Sequence, residues 1–163
     1  MAPLDWGLGH ATRCVPLIQS LQEAGFEVWA AAEERVKELL LQEFPDLMIL
    51  PLPGYRVSYA GASRFFLLHM LRQLPRLIMQ VKKENRLLEK WVRQYEIDVV
   101  ISDNRYGCHN KSCHSVFITH QLTIKTGYSL LDKLARRINY NFIKRFDECW
   151  VPDQEGNSNL AGA

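Results

Sequence analysis

Four cysteines in 163 residues, Cys14, Cys108, Cys113 and Cys149, are too sparse and too irregularly spaced for a disulfide framework. Such frameworks belong to shorter, cysteine-dense secreted chains, so the thiols read as reduced and the protein as cytosolic. Long apolar runs are lacking too. The densest, residues 65–71, is cut by His69 and flanked by Arg64 and Arg72, well short of the roughly 20 apolar residues that span a bilayer. Met1 to Gly7 has neither the basic nor the apolar region of a secretory signal. Nine glycines and seven prolines are too few for a linker-rich chain. A 47% hydrophobic, 23% charged composition excludes disorder, collagen-like repeats and coiled coil. What remains is one domain of ordinary size, soluble or at most lying on a membrane.

The net charge of +2 conceals an uneven distribution. Arg56 to Arg93 holds nine basic residues and two acidic ones, and Lys125 to Asp147 holds six basic and two acidic, so the remainder is strongly acidic. This asymmetry concerns partners rather than fold. The segment from Arg64 to Arg93 interleaves Phe65, Phe66, Leu67, Leu68, Met70 and Leu71 with positive charge. A core-packed helix with solvated basic side chains would read this way, and so would a patch that docks on anionic lipid, with Arg64, Phe65, Phe66, Arg72 and Arg76 facing the membrane. No helix-turn-helix, RNA-binding or oligonucleotide-binding motif accompanies the charge, so nucleic acid is not the expected partner.

Helical and strand periodicities alternate. Helices are expected over Ala11–Ala24, Glu33–Phe44, Arg64–Tyr95 (kinked or broken at Pro75) and Ser129–Phe146. Strands are expected over Phe26–Ala31, Leu47–Leu50, Ile97–Ser102, Ser115–Thr119 and Glu148–Val151. Pro16 is tolerable in the first of these helices only near its start. The apolar strands at 97–102 and 115–119 suit burial on both faces, and the alternation predicts an α/β fold, a doubly wound parallel-sheet Rossmann-like domain. Its central strand has only Met1 to Leu4 available, either as the tail of that strand or as a sign of missing residues. The loop-like end at 157–163 adds to the expectation that the chain is a piece of a longer protein.

The most specific local feature is Asp5 to Arg13, a glycine-rich turn entering a helix. Glycines there let a ligand approach the backbone, and the exposed N–H groups of a helix start suit phosphate. Gly7-x-Gly9-x-x-Thr12 lacks the third glycine of a dinucleotide fingerprint, and no Lys-Ser/Thr pair follows as in a P-loop. A tight structural turn, with His10 bonded to a backbone group, is the plainer reading. Likewise Asp103 at a strand end also reads as a turn cap, and His120 as a core histidine. Cys108-His109 and Cys113-His114 offer four zinc ligands in seven residues, but adjacent pairs do not easily close one tetrahedron, so no metal site is expected.

Gly7-Leu8-Gly9-His10-Ala11-Thr12-Arg13 resembles the first loop of GT-B glycosyltransferases, particularly family 28, which includes the bacterial transferase that adds N-acetylglucosamine to the lipid-linked peptidoglycan precursor. Ser102 to Gly107 is similar to that family's glycine-rich acceptor loop, and Phe117 to Gln121 to its strand and His-x-Gln turn, although here His120 and Gln121 are adjacent. The lead-in Asp5-Trp6 and the pair Leu8-Gly9 depart from the family pattern. The resemblance covers residues 1–163, as the N-terminal, acceptor-binding half of a GT-B enzyme.

The resemblance implies an inverting enzyme that moves a sugar, N-acetylglucosamine or a relative, from a UDP-sugar to a sugar or lipid-linked acceptor. The donor would be held mainly by a second domain, so the fragment alone would be inactive. No cofactor beyond the UDP-sugar co-substrate is implied. His10 would deprotonate or orient the acceptor hydroxyl, a task suited to an imidazole, whose ordinary pKa is about 6.5. Gly7, Gly9 and the amides of Ala11 and Thr12 would face the acceptor phosphate. Asp103 would bond acceptor hydroxyls or support His10, with Asn104 beside it, and Arg105 would neutralise phosphate. His120 and Gln121 would line the same cleft. The expected location is cytoplasmic, peripheral on the inner membrane face. The alternatives are half of a sugar-nucleotide epimerase, an NAD(P)-dependent Rossmann oxidoreductase using Glu33 or Glu34 for the ribose, or a non-catalytic binding half.

Overall fold

The computed structural model describes residues 1–55, 66–120 and 129–152. In chain order the elements are β1 (Ala2–Pro3), α1 (Leu8–Glu23), β2 (Trp29–Ala32), α2 (Glu34–Glu43), β3 (Met48–Pro51), α3 (Phe66–Tyr95), β4 (Val99–Asp103), β5 (His114–Ile118), α4 (Ser129–Ile143) and β6 (Glu148–Trp150). All strand pairings are parallel. Four strands run in the order β1-β4-β5-β6, and β2 pairs with β3. Met1 joins the two groups: its N-terminal ammonium donates to Trp29 O at 2.7 Å, and its carbonyl accepts from Ala31 N at 2.8 Å. Across one surface the strands therefore read β3-β2-β1-β4-β5-β6, the order of a doubly wound Rossmann-like domain. Its direction of winding reverses between β1 and β4.

Strand alternation assigns each helix to a face. Ala30 and Ala32 of β2 pack on Ala11, Cys14 and Ile18 of α1 and on Val36 and Leu40 of α2. Ile101, Val116 and Ile118 meet Leu17 and Leu21 of α1 on that same face. On the opposite face Ala31, Leu50 and Val100 lie under Leu88, Trp91 and Val92 of α3, while Phe117 lies under Ile143 of α4 and Phe146 just beyond it. Tyr106 meets Phe142 at 5.2 Å between ring centroids and, like Leu77 of α3, packs on Leu4, Tyr55 and Val81. Full burial of a side chain such as Phe117 stabilises the fold by about 1.5–3 kcal/mol.

The layering also separates charge. Residues 8–46, which carry α1 and α2, hold seven acidic and three basic residues. On the other layer Arg72, Arg76, Lys82, Lys83 and Arg86 of α3 are exposed, and Lys133, Arg136, Arg137, Tyr140, Asn141 and Lys144 line a shallow groove on α4.

Several boundaries differ from the periodicity. The first helix starts at Leu8 rather than Ala11, so Pro16 is its ninth residue and not part of the first turn. Pro16 is exposed, which leaves the carbonyl deprived of its partner close to solvent. Pro75 does not break α3, which runs unbroken from 66 to 95 with this proline on its exposed side. No helix among the described residues is long and apolar enough to cross a membrane.

All four cysteines are free. Burial pushes the Cys14 thiol up to about 12 and raises Cys108 as well, whereas Cys149 is exposed. Because the thiolate is the reactive form, a maleimide at neutral pH should modify Cys149 first and spare Cys14 and Cys108 until urea unfolds the chain. Peptide mass spectrometry reads the order directly; early modification of Cys14 would contradict this packing.

Candidate functional site

In open parallel sheets, ligands bind beyond the carboxyl ends of the strands where winding reverses, here at β1 and β4. Pro3 pairs with Asp103 at that edge. Gly7 follows with φ +86°, a left-handed conformation that favours glycine, and acts as the N-cap of α1. With this start, the amides left without intrahelical acceptors are those of Leu8, Gly9 and His10. The amides of Ala11 and Thr12 instead lie within the helical ladder, a correction of one turn to the expected anion cradle. Ala11 is buried, and Thr12 turns its hydroxyl back to Gly9 O at 3.1 Å.

Asp103 shares the α1 face of β4 with Ile101, two residues earlier, and is only 1% exposed. Opposite it, α1 presents His10, Arg13 and Cys14, which lie on one helical face by their spacing of three and four. His10 Nδ1 is 2.9 Å from Asp103 Oδ2. Arg13 Nη2 donates to Asp103 Oδ1 and Oδ2 at 2.7 and 2.9 Å, and it lies 2.8 Å from His10 Nδ1. His120, just past β5, joins from the other side: its ring centroid is 6.4 Å from that of His10, and its Nδ1 is 3.4 Å from Arg13 Nη1. The structure thus brings His10, Asp103 and His120 together, with Arg13 among them. Both contacts to the His10 ring use Nδ1, so any chemistry of that ring falls to Nε2.

Asn104 follows Asp103 in a left-handed turn at φ 58°, its N–H donating to Ile118 O at 3.0 Å. Arg105 does not reach the edge as a phosphate ligand. It is 1% exposed and turns inward, where its Nε donates to Glu84 of α3, its Nη2 to Pro53 O and its Nη1 to Pro3 O. Glu84 also accepts from Tyr55 Oη and Gly107 N. Gly107 comes so close to Glu84 and to the Val81 carbonyl that a Cβ would overlap both. Burial alone would lower the Arg105 pKa, but Glu84 overrides it and holds the guanidinium charged; burial and then Glu84 push Tyr55 well above its ordinary value. This cluster braces the loops after β1, β3 and β4 from below. Gln121, Arg64 and Phe65 lie outside the described residues, as does the side chain of Phe66.

The adjacent Cys-His pairs fall into separate surroundings. Cys108 packs in the apolar core, His109 meets the edge of Phe146, and His114 Nε2 contacts Glu148 at 2.9 Å. Among the described residues no three His, Cys, Asp or Glu side chains gather as a metal site.

The sequence missed Arg13, Glu84 and Tyr55. Two signals were available: Arg13 lies one helical turn beyond His10, and Glu84 interrupts the apolar stripe of Val81, Leu88 and Trp91.

No protein-family model matches the sequence, and no curated protein is similar to it at the sequence level. Among solved structures, the fold is similar to the crystal structure of Acinetobacter baumannii MurG, with a TM-score of 0.57 at 13% identity over 95% of this chain. The chain spans 40% of the length of that structure's chain.

Proposed function

We propose that these residues form the acceptor-binding domain of an inverting GT-B glycosyltransferase that takes its sugar, N-acetylglucosamine or a close relative, from a UDP-sugar. The observation that carries the reading is the His10–Asp103 contact at the winding reversal, on a helix start whose Leu8, Gly9 and His10 amides have no intrahelical acceptor. The similarity in fold to MurG, a UDP-N-acetylglucosamine transferase of GT-B architecture, and the first-loop resemblance support it from two independent directions.

In this scheme the acceptor hydroxyl gives its proton to His10 Nε2 as its oxygen attacks the anomeric carbon and the bond to UDP breaks, inverting the configuration. Asp103 takes a hydrogen bond from Nδ1 and so orients the imidazole with its lone pair on Nε2. The Leu8, Gly9 and His10 amides, with Gly7 opening the turn, face an acceptor phosphate. Thr12, Asn104 and His120 line the acceptor side, and Ala11 serves by packing the helix start. The donor is held by a second domain outside these 163 residues, where a helix N-terminus eases departure of the diphosphate. No step calls for a metal or an organic cofactor.

The exposed basic side chains of α3 and α4 suit an anionic membrane surface, which fits a lipid-linked acceptor and a position at the cytoplasmic face. Each charge near such a surface is worth about 1 kcal/mol. Changing Arg72, Arg76, Lys82 and Lys83 together to glutamine should therefore reduce partitioning onto phosphatidylserine vesicles by roughly 10²–10³-fold. Cosedimentation measures it, and an unchanged, salt-independent binding curve would remove the membrane from the reading.

Half of an epimerase and a nicotinamide-dependent oxidoreductase are the competing readings. For the latter, Glu33 stands at the end of β2, but its carboxylate accepts the Gly54 N–H at 3.2 Å. Titrating UDP-N-acetylglucosamine and NAD into the full-length protein, followed by assay of UDP release in the presence of acceptor, decides among them. Binding of NAD without UDP-sugar binding would overturn the proposal.

A further inference from the structure

His10 Nδ1, Asp103 Oδ2 and Arg13 Nη2 form a triangle with edges of 2.8–2.9 Å, and a neutral imidazole cannot satisfy all three edges. A guanidinium only donates and a carboxylate only accepts, whereas Nδ1 does one or the other. If Nδ1 carries the proton, it bonds Asp103 but sets two donors face to face at 2.8 Å. If Nδ1 is the acceptor, it takes the Arg13 N–H but sets its lone pair against the carboxylate at 2.9 Å. The second conflict is the milder one, because the positive Nη2 group bridges both acceptors. Arg13 is also unsettled elsewhere: its enclosed Nε finds no hydrogen-bond partner among the described residues, while the side chain as a whole is 29% exposed.

Resting on the glycosyl-transfer reading for its purpose but not for its test, we infer that Arg13 is a positioning residue that gates the tautomer of His10. With Arg13 on Nδ1, the proton sits on Nε2 and the base is silent. An anionic group arriving at the helix start draws the guanidinium to itself, as a phosphate recruits arginine elsewhere. Nδ1 then takes a proton from water and keeps it in a hydrogen bond to Asp103, Nε2 releases its proton to water, and the lone pair on Nε2 becomes available with no net change of charge. The site therefore selects for acceptors bearing a phosphate or diphosphate, since these both bind and switch on the base.

The test is imidazole ¹⁵N NMR of the full-length protein, with the His10 signals assigned by comparison with His10→Gln. The wild type alone should show a lone-pair-type Nδ1 and a protonated Nε2. Inorganic pyrophosphate should reverse the pattern, and Arg13→Met should show the reversed pattern without it and no further change on its addition. A wild-type Nδ1 already protonated, or one unmoved by saturating pyrophosphate, overturns the inference. The wild-type titration stands by itself if Arg13→Met does not fold. The readout needs no sugar transfer: a failed transferase assay leaves it intact, and an unmoved tautomer leaves the transferase reading intact.

Discussion

His10→Ala in the full-length protein should lower the turnover of sugar transfer by about 10²–10⁴-fold, the usual worth of a positioned general base, while UDP-sugar affinity stays within about twofold. The two effects separate because the proposed function puts His10, at the first turn of α1, beside the acceptor and puts the donor in another domain. Alanine is a good helix former, and Arg13 still holds the buried Asp103 carboxylate, so the fold should persist. UDP release under saturating donor and acceptor measures the first quantity, and calorimetric titration of the UDP-sugar measures the second. Unchanged turnover would end the role of His10. A parallel loss of donor affinity would move the donor site into this domain.

Arg105→Met should be the most destabilising single change in the domain, by about 3–5 kcal/mol, because it strands the Glu84 carboxylate without its partner at a site 1% exposed. Measured against a total stability of about 5–15 kcal/mol, that is a large fraction. It should bring the urea midpoint down by more than about 1 M. Pairing it with Glu84→Leu should recover much of the loss, since the replacement removes both buried charges together. The recovery will be incomplete, because Tyr55 Oη and Gly107 N also lose their acceptor. Denaturant unfolding of the two single variants and the double variant gives the coupling. If Arg105→Met falls within about 0.5 kcal/mol of the wild type, the cluster is not the brace described here.

The alternation of strands and helices was legible because 3.6- and 2-residue periods survive in most segments, and the parallel sheet follows from them. The start of α1 was not. Gly7 and Gly9 read as loop, yet only Gly7 needs the left-handed backbone, and Gly9 lies inside the first turn. Three residues of difference moved the free amides from Ala11 and Thr12 back to Leu8, Gly9 and His10. Pro16 misled in the same way, since tertiary packing of Ile18 and Cys14 outweighs its missing donor.

For the site, the ends of parallel strands were readable as positions, but the direction of each side chain was not. Asp103 and Arg105 are two residues apart on a turn, and one meets α1 while the other dives beneath the edge toward α3. The difference is made by Glu84, 21 residues earlier in the chain. A carboxylate within an apolar stripe demands a buried cation, but the sequence does not say which one. Arg13 went unread for a related reason: a residue one turn from a histidine gains meaning only when Asp103 is known to face both.

The concentration of positive charge on α3 and α4, opposite a nearly neutral α1 and α2 and their acidic connections, gives the domain an electric axis perpendicular to its sheet. Beside a polyanionic surface such an object feels a torque before it makes contact, over about 8 Å at physiological ionic strength, and settles with the plane of its strands parallel to that surface. The carboxyl edge lies in that plane. Once settled, the strand ends at His10 and Asp103 therefore face sideways along the surface rather than down into it, and a group standing proud of that surface would be met edge-on.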